Sequence, residues 1–181
     1  LSLHDALPIC VRENLLLAKS DASDTELWNV LKECNIDGFF REEKGLDTFL
    51  TENAGNLSGG QKQRLALARA ILHDAKIYIF DEATSNIDME SEEIILREIK
   101  KLAKTKTVIM ITHRLMNVVD ADNIFCLEKG RLSGAGSHSE QLESDSVYKK
   151  IWDTQKALEA YGKGGERAWK SKTKHKSFLG C

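Results

Sequence analysis

IYIFDEATSNID, residues 77–88, decides the fold of this chain. The run from Lys76 to Asp81 (KIYIFD) is short, nearly all apolar and closed by an acid. That is the pattern of a β-strand buried on both faces. Its C-terminal end delivers two adjacent carboxylates, Asp81 and Glu82, to the edge where layered α/β sheets bind ligands. Neighbouring residues of an extended segment point in different directions, so two roles are open to the pair. One carboxylate can hold a divalent cation such as Mg2+, usually through water, and the other can polarise an attacking water. Standing alone, a strand-end pair of acids is more simply two solvated side chains, so its surroundings matter.

Downstream, residues 90–104 read as a helix with Ile95, Ile99 and Leu102 on its inner face. Its acids Glu90, Glu92 and Glu93 come first and Lys100, Lys101 and Lys104 last, as the helix dipole favours. Residues 107–112 (TVIMIT) read as a second buried strand, followed at once by His113. If the two strands are neighbours, His113 shares a sheet edge with Asp81 and Glu82, where an imidazole can hydrogen-bond a phosphate oxygen or a water. Residues 124–127 and 131–135, flanking Lys129-Gly130, form a hairpin pattern, and helices are expected over 139–143 and 146–161.

Upstream, Ser58 is a good N-cap for a helix over residues 59–73. Two glycines in its first turn, Gly59 and Gly60, run against helix propensity. They make sense if something must approach the backbone N–H groups closely, and a hydroxyl beside bare amides at a helix start is a ready anion site. Further back, Asp24 is the expected N-cap of a helix whose Leu27, Val30, Leu31 and Cys34 form one apolar stripe. Residues 11–19 read as a short helix and residues 36–40 as a helical turn. Strands alternating with helices imply an α/β layered fold.

Composition bounds these readings. The 181 residues are 41% hydrophobic and 30% charged with net charge −2, enough apolar material for a core and too much for wholesale disorder. The greasiest stretch, Val108 to Ile111, falls far short of the roughly 20 residues of a membrane span. Cys10, Cys34, Cys126 and Cys181 are scattered with no CxxC pair, a pattern of idle thiols in a reducing compartment. The only proline, Pro8, lies in the opening LSLHDALPIC, which continues no periodic pattern and reads as a non-native leader over residues 1–10. Residues 162–181 hold six basic residues against one acid. A solvated, disordered basic tail is the simpler reading of that segment, and a nucleic-acid or membrane arm the sharper one.

Taken in order, these segments resemble the ATPase domains of ABC transporters. LSGGQ (57–61) is similar to the ABC signature motif and KQRLALARA (62–70) to the helix that follows it. IYIFDE resembles the Walker B strand with its glutamate, SNID (85–88) the D-loop, and ITHR (111–114) the switch histidine. EATS after Asp81 and the closing EKGRLSGAGSHSEQL (128–142) look most like the exporter branch. The resemblance implies a P-loop NTPase-like α/β fold, three layers of sheet and helices, here incomplete, with part of a helical signature subdomain. It divides the chain into residues 11–58, helical subdomain, and 59–161, signature helix and catalytic part, before the tail at 162–181.

It also implies roles. Asp81 would position Mg2+, Glu82 would act as general base toward water attacking the γ-phosphate of ATP, and His113 would contact that phosphate. Ser58, Gly59, Gly60 and Gln61 would bind the γ-phosphate of ATP held by a second ABC ATPase domain in a head-to-tail dimer. Ser85 and Asp88 would link the two sites. The partners implied are that second domain and a transmembrane domain, fused in the parent, at the cytoplasmic face of a membrane. Solute transport powered by ATP hydrolysis is the function expected.

The sequence departs from the family pattern by lacking any GxxxxGK(S/T) phosphate loop, the glutamine loop and the adenine-stacking aromatic. The chain is thus expected to be a C-terminal part of the domain, inactive alone and marginally folded. A non-catalytic partner that donates a signature face is the alternative, and a soluble ABC ATPase acting on nucleic acid or ribosomes a third. The last would carry a coiled-coil insertion or a second signature, and the sequence has neither, so no nucleic-acid partner is expected.

Overall fold

A computed structural model describes residues 8–143 and 146–158. The chain divides into two compact units, one running to His113 and one starting at Arg114.

In the first unit, helices α1 (Val11–Leu16), α2 (Asp24–Glu33), α3 (Asp37–Glu42) and α4 (Gly59–His73) precede a β1–α5–β2 segment. The starts of α1, α2 and α4 are built alike. A side chain at the N-cap accepts the amide three residues on, and an acid or amide there reaches back to the cap's own N–H. The pairs are Cys10 with Glu13, Ser23 with Glu26, and Ser58 with Gln61. Asp24 is therefore not the cap of α2, contrary to expectation: Ser23 takes that place because its hydroxyl reaches Glu26 N and Glu26 answers Ser23 N at 2.8 Å. Asp24 sits in the first turn, where its charge suits the dipole and pairs with Arg12. Leu27, Val30, Leu31 and Cys34 are all buried, as the stripe on α2 predicts, together with Leu15, Phe40 and Leu65.

Strands β1 (Ile77–Asp81) and β2 (Thr107–Ile111) pair in parallel, joined by α5 (Met89–Ala103), with Ile77 opposite Thr107 and Asp81 opposite Ile111. The covered face carries Tyr78 and Phe80, packed with Ile95 and Ile99 of α5 and with the partly buried Val108 and Met110. The other face is open: Ile77, Ile79, Ile109 and Ile111 are 59, 65, 48 and 50% exposed. The expectation of strands buried on both faces is thus met on one face only, because within this unit the helices pack on a single side. On α5, Ile95 and Ile99 are buried as expected, and Glu98 is buried beside them with Arg97 and Lys101 on its carboxylate, each at 2.9 Å.

The second unit holds the hairpin β3 (Ile124–Glu128) and β4 (Arg131–Gly136), helix α6 (His138–Glu143) and helix α7 over residues 147–158. Lys129 and Gly130 both take positive φ, the geometry of a tight two-residue hairpin turn. Leu115, Ile124, Tyr148 and Trp152 form its core. Gln141 donates from Nε2 to the Ile124 carbonyl at 3.0 Å, and His138 Nδ1 lies 2.7 Å from the Tyr148 hydroxyl. The expected helix over 146–161 is seen to residue 158; its last residues, the tail at 162–181 and residues 1–7 of the expected leader lie outside the described residues. Residues 9 and 10 of that leader are integrated: Leu50 N donates to the Ile9 carbonyl at 3.0 Å, and Cys10 caps α1.

Candidate functional site

The parallel register places the strand ends side by side, so Asp81, Glu82 and His113 share one edge, as their positions in the sequence suggest. Glu82 does not continue the strand. Its φ is 47°, in the left-handed region, and its N–H donates to the Ile111 carbonyl at 2.9 Å while its own carbonyl accepts Ser85 N at 2.9 Å. Asp81 and Glu82 diverge for this reason, rather than through the alternation of an extended segment. Glu82 Oε1 lies 3.2 Å from His113 Nδ1. The carboxylate of Asp81 is exposed and has no side-chain partner among the described residues, which leaves its oxygens open to a cation.

No group of three or more His, Cys, Asp or Glu side chains among the described residues could cage a metal.

At the start of α4, Ser58 Oγ accepts Gln61 N at 3.2 Å and Gln61 Oε1 accepts Ser58 N at 2.8 Å. The reciprocal pair leaves the hydroxyl proton of Ser58 without an acceptor among the described residues. The amides of Gly59 and Gly60, in the first turn, have no intrahelical acceptor. These groups suit an anion, and the dipole of a 15-residue helix adds to them.

The two glycines differ. Gly59 is exposed, and a Cβ there would meet the Asn86 carbonyl at 3.4 Å, an ordinary contact. Gly60 is buried, and a Cβ there would lie 2.1 Å from Ser91 Oγ and 2.7 Å from Asp88 Oδ2. At Gly60 the space of a side chain is taken by the chain itself.

Ser85 is half-buried and lines, with Gly59, a cleft of about 340 Å³ whose other polar walls are Asn53, Lys62, Gln63, Arg69 and Asn86. Asp88 caps α5: Oδ1 accepts Ser91 N and Oδ2 accepts Ser91 Oγ, both at 2.8 Å. Those two bonds, the amide's first, hold the Asp88 carboxyl below the usual range, with a smaller contribution from the Arg64 charge.

Sequence reasoning missed Ser91, though Asp88 three residues before a serine is itself a helix-start signature. It also missed Arg64, whose Nη1 donates to the Asn35 carbonyl at 2.6 Å and ties α4 to the end of α2. No sequence signal marks that contact, which spans 29 residues.

The family model described as "ABC transporter" matches residues 4–85. An uncharacterized ABC transporter ATP-binding protein of Haemophilus influenzae is 51% identical over 149 residues, covering 82% of this chain and 27% of that protein. The ATP-dependent lipid A-core flippase of Pasteurella multocida is 45% identical, covering 74% of this chain and 23% of that protein. Among solved structures, a bacterial Atm1-family ABC exporter with ATP bound superposes with TM-score 0.78 at 34% identity, over 85% of this chain and 27% of that one. The chain thus spans about a quarter of the length of the curated relatives it matches. With its linked motifs, its strand-end geometry and these relatives in agreement, the chain belongs to the ABC transporter ATP-binding family and carries part of that family's P-loop NTPase-like α/β fold.

Proposed function

We propose that this chain contributes the signature turn, the Walker B strand end and the switch histidine to an ATPase that drives a solute across a membrane. The observation that carries the reading is the 3.2 Å contact between Glu82 Oε1 and His113 Nδ1, at the sheet edge that also bears Asp81. With protons on both ring nitrogens, His113 would donate from Nδ1 to Glu82, fixing that carboxylate, and from Nε2 to a phosphate oxygen. Glu82 keeps its second oxygen for the proton of an attacking water. Asp81 would hold Mg2+ through water, and bound Mg2+ supplies neutralisation of the charge shared by the phosphate oxygens.

The amides and hydroxyl at Ser58–Gly60, with Gln61 holding the cap, would receive the γ-phosphate of ATP carried by a second ATP-binding domain. Ser85 and Asp88 would relay between the two sites of that head-to-tail pair. A fused transmembrane domain and the cytoplasmic membrane face complete the reading. Among the described residues no helix is long and apolar enough to cross a membrane. The 181 residues contain no GxxxxGK(S/T) loop, so the chain by itself is expected not to hydrolyse ATP. The same feature, beside an intact signature turn, supports a second reading in which the chain only donates that face to another ATPase.

A chimera separates the two. The 149 matching residues of the Haemophilus influenzae relative are replaced by those of this chain, and ATP hydrolysis is measured. Hydrolysis that Glu82→Gln lowers by about a hundredfold or more supports the catalytic reading. A chimera whose rate Glu82→Gln leaves unchanged overturns it.

A further inference from the structure

Gly60 has the tightest surroundings of the described glycines of the first unit, and what crowds it is the cap of α5. Ser91 Oγ and Cβ and Asp88 Oδ2 occupy the space of a side chain there, at 2.1, 2.7 and 2.7 Å from the position of a Cβ. Ser91 is buried, and both its amide and its hydroxyl bind the Asp88 carboxylate. The first turn of α4 therefore abuts the Asp88–Ser91 cap with no room between them, while Gly59, one residue earlier, leaves ordinary space.

We propose that Gly60 is a positioning residue: by lacking a side chain it seats the Asp88–Ser91 cap against the first turn of α4, so that residues 58–61 and 85–91 move as one body. A ligand that pulls on the signature turn then displaces the D-loop of the same chain directly, without an intervening element. The functional consequence rests on the reading of these segments as parts of an ATP site; the packing does not.

The test uses the whole 181-residue chain without nucleotide. Amide hydrogen exchange at Ser91 and Glu92, and the thermal melt, are compared in Gly59→Ala, Gly60→Ala, Ser91→Gly and the Gly60→Ala/Ser91→Gly double variant. Gly60→Ala is expected to speed exchange at both amides by about tenfold or more and to lower the melting midpoint. Gly59→Ala, which gains helix propensity while meeting the Asn86 carbonyl only at ordinary contact distance, is expected to hold or raise the midpoint.

The double variant is the decisive one. Ser91→Gly removes both Oγ and Cβ, and frees the Asp88 carboxylate to turn away. The double variant should therefore melt above Gly60→Ala and recover slow exchange at Glu92, although Gly60→Ala and Ser91→Gly are each unfavourable alone. If Gly60→Ala does not fold, recovery of a cooperative melt in the double variant supports the proposal and its absence overturns it. Equal losses for Gly59→Ala and Gly60→Ala, or additive losses in the double variant, also overturn it. None of these results depends on ATP, so the catalytic reading stands or falls separately in the chimera.

Discussion

At Glu82 a charged residue occupies backbone that favours glycine. A left-handed conformation is unfavourable by about 1–2 kcal/mol for a residue with a Cβ, and Glu82 holds it at φ 47° through its bonds to Ile111 and Ser85. Such positions persist where the surrounding structure over-determines them, commonly at functional sites. The contact with His113 offsets little, since the two side chains are 51 and 66% exposed. Glu82→Gly is therefore expected to stabilise the first unit by about 0.5–1 kcal/mol in urea denaturation, while Glu82→Ala, which keeps the Cβ, gains nothing. In the chimera the same glycine should lose hydrolysis. A glycine variant no more stable than the alanine variant would show that the turn carries no strain. That Asp81, Glu82 and His113 meet at one sheet edge is legible from their positions after two apolar runs; the conformation of Glu82 is not, because a carbonyl 29 residues away in the chain sets it.

Among the elements, the reciprocal caps are the clearest case of local encoding. Each uses partners three residues apart, so nothing distant decides it. The cap of α2 adds a pH response. Lys19 Nζ lies 2.5 Å from Glu26 Oε1, and this bond, followed by those from the Ser23 amide and hydroxyl, lowers the Glu26 carboxyl from about 4.5 to about 2. A carboxyl depressed in the folded state contributes stability that is present above its unfolded pKa and lost as pH falls through the folded one. The denaturation midpoint should accordingly fall as pH drops from near 4.5 toward 2, and Glu26→Gln should flatten that slope. Superimposable pH profiles for the two proteins would count against the cap as its source. The α2 start also shows the limit of position rules: Ser23 and Asp24 are both good N-caps, and only the reach of the Ser23 hydroxyl to Glu26 N separates them.

At the largest scale, that of the first unit as a folded body, the open face of β1 and β2 is the dominant fact. Four isoleucines there are about half exposed or more, whereas Tyr78 and Phe80 on the opposite face are 5 and 4% exposed. Contiguous apolar surface of this kind binds hydrophobic dyes and promotes association. Ile79→Thr is expected to lower dye fluorescence while changing stability by less than about 0.5 kcal/mol. Phe80→Ala, on the covered face, should destabilise by about 3–5 kcal/mol. Similar losses for the two variants would mean that both faces are covered in solution.

Alternation of apolar runs, caps and strand-end acids determined the α/β class, the order of the elements, and which residues meet at the sheet edge. Those features are local: they depend on side-chain type and on hydrogen bonds spanning a few residues. Tertiary structure alone decided that β1 is covered on one face, that Glu82 bends away from Asp81, and that Gly60 makes room for Ser91 rather than solely for a ligand. Each of these depends on atoms brought together from segments some thirty residues apart, and the excluded volume and partner geometry that fix them have no periodicity along the chain to be read.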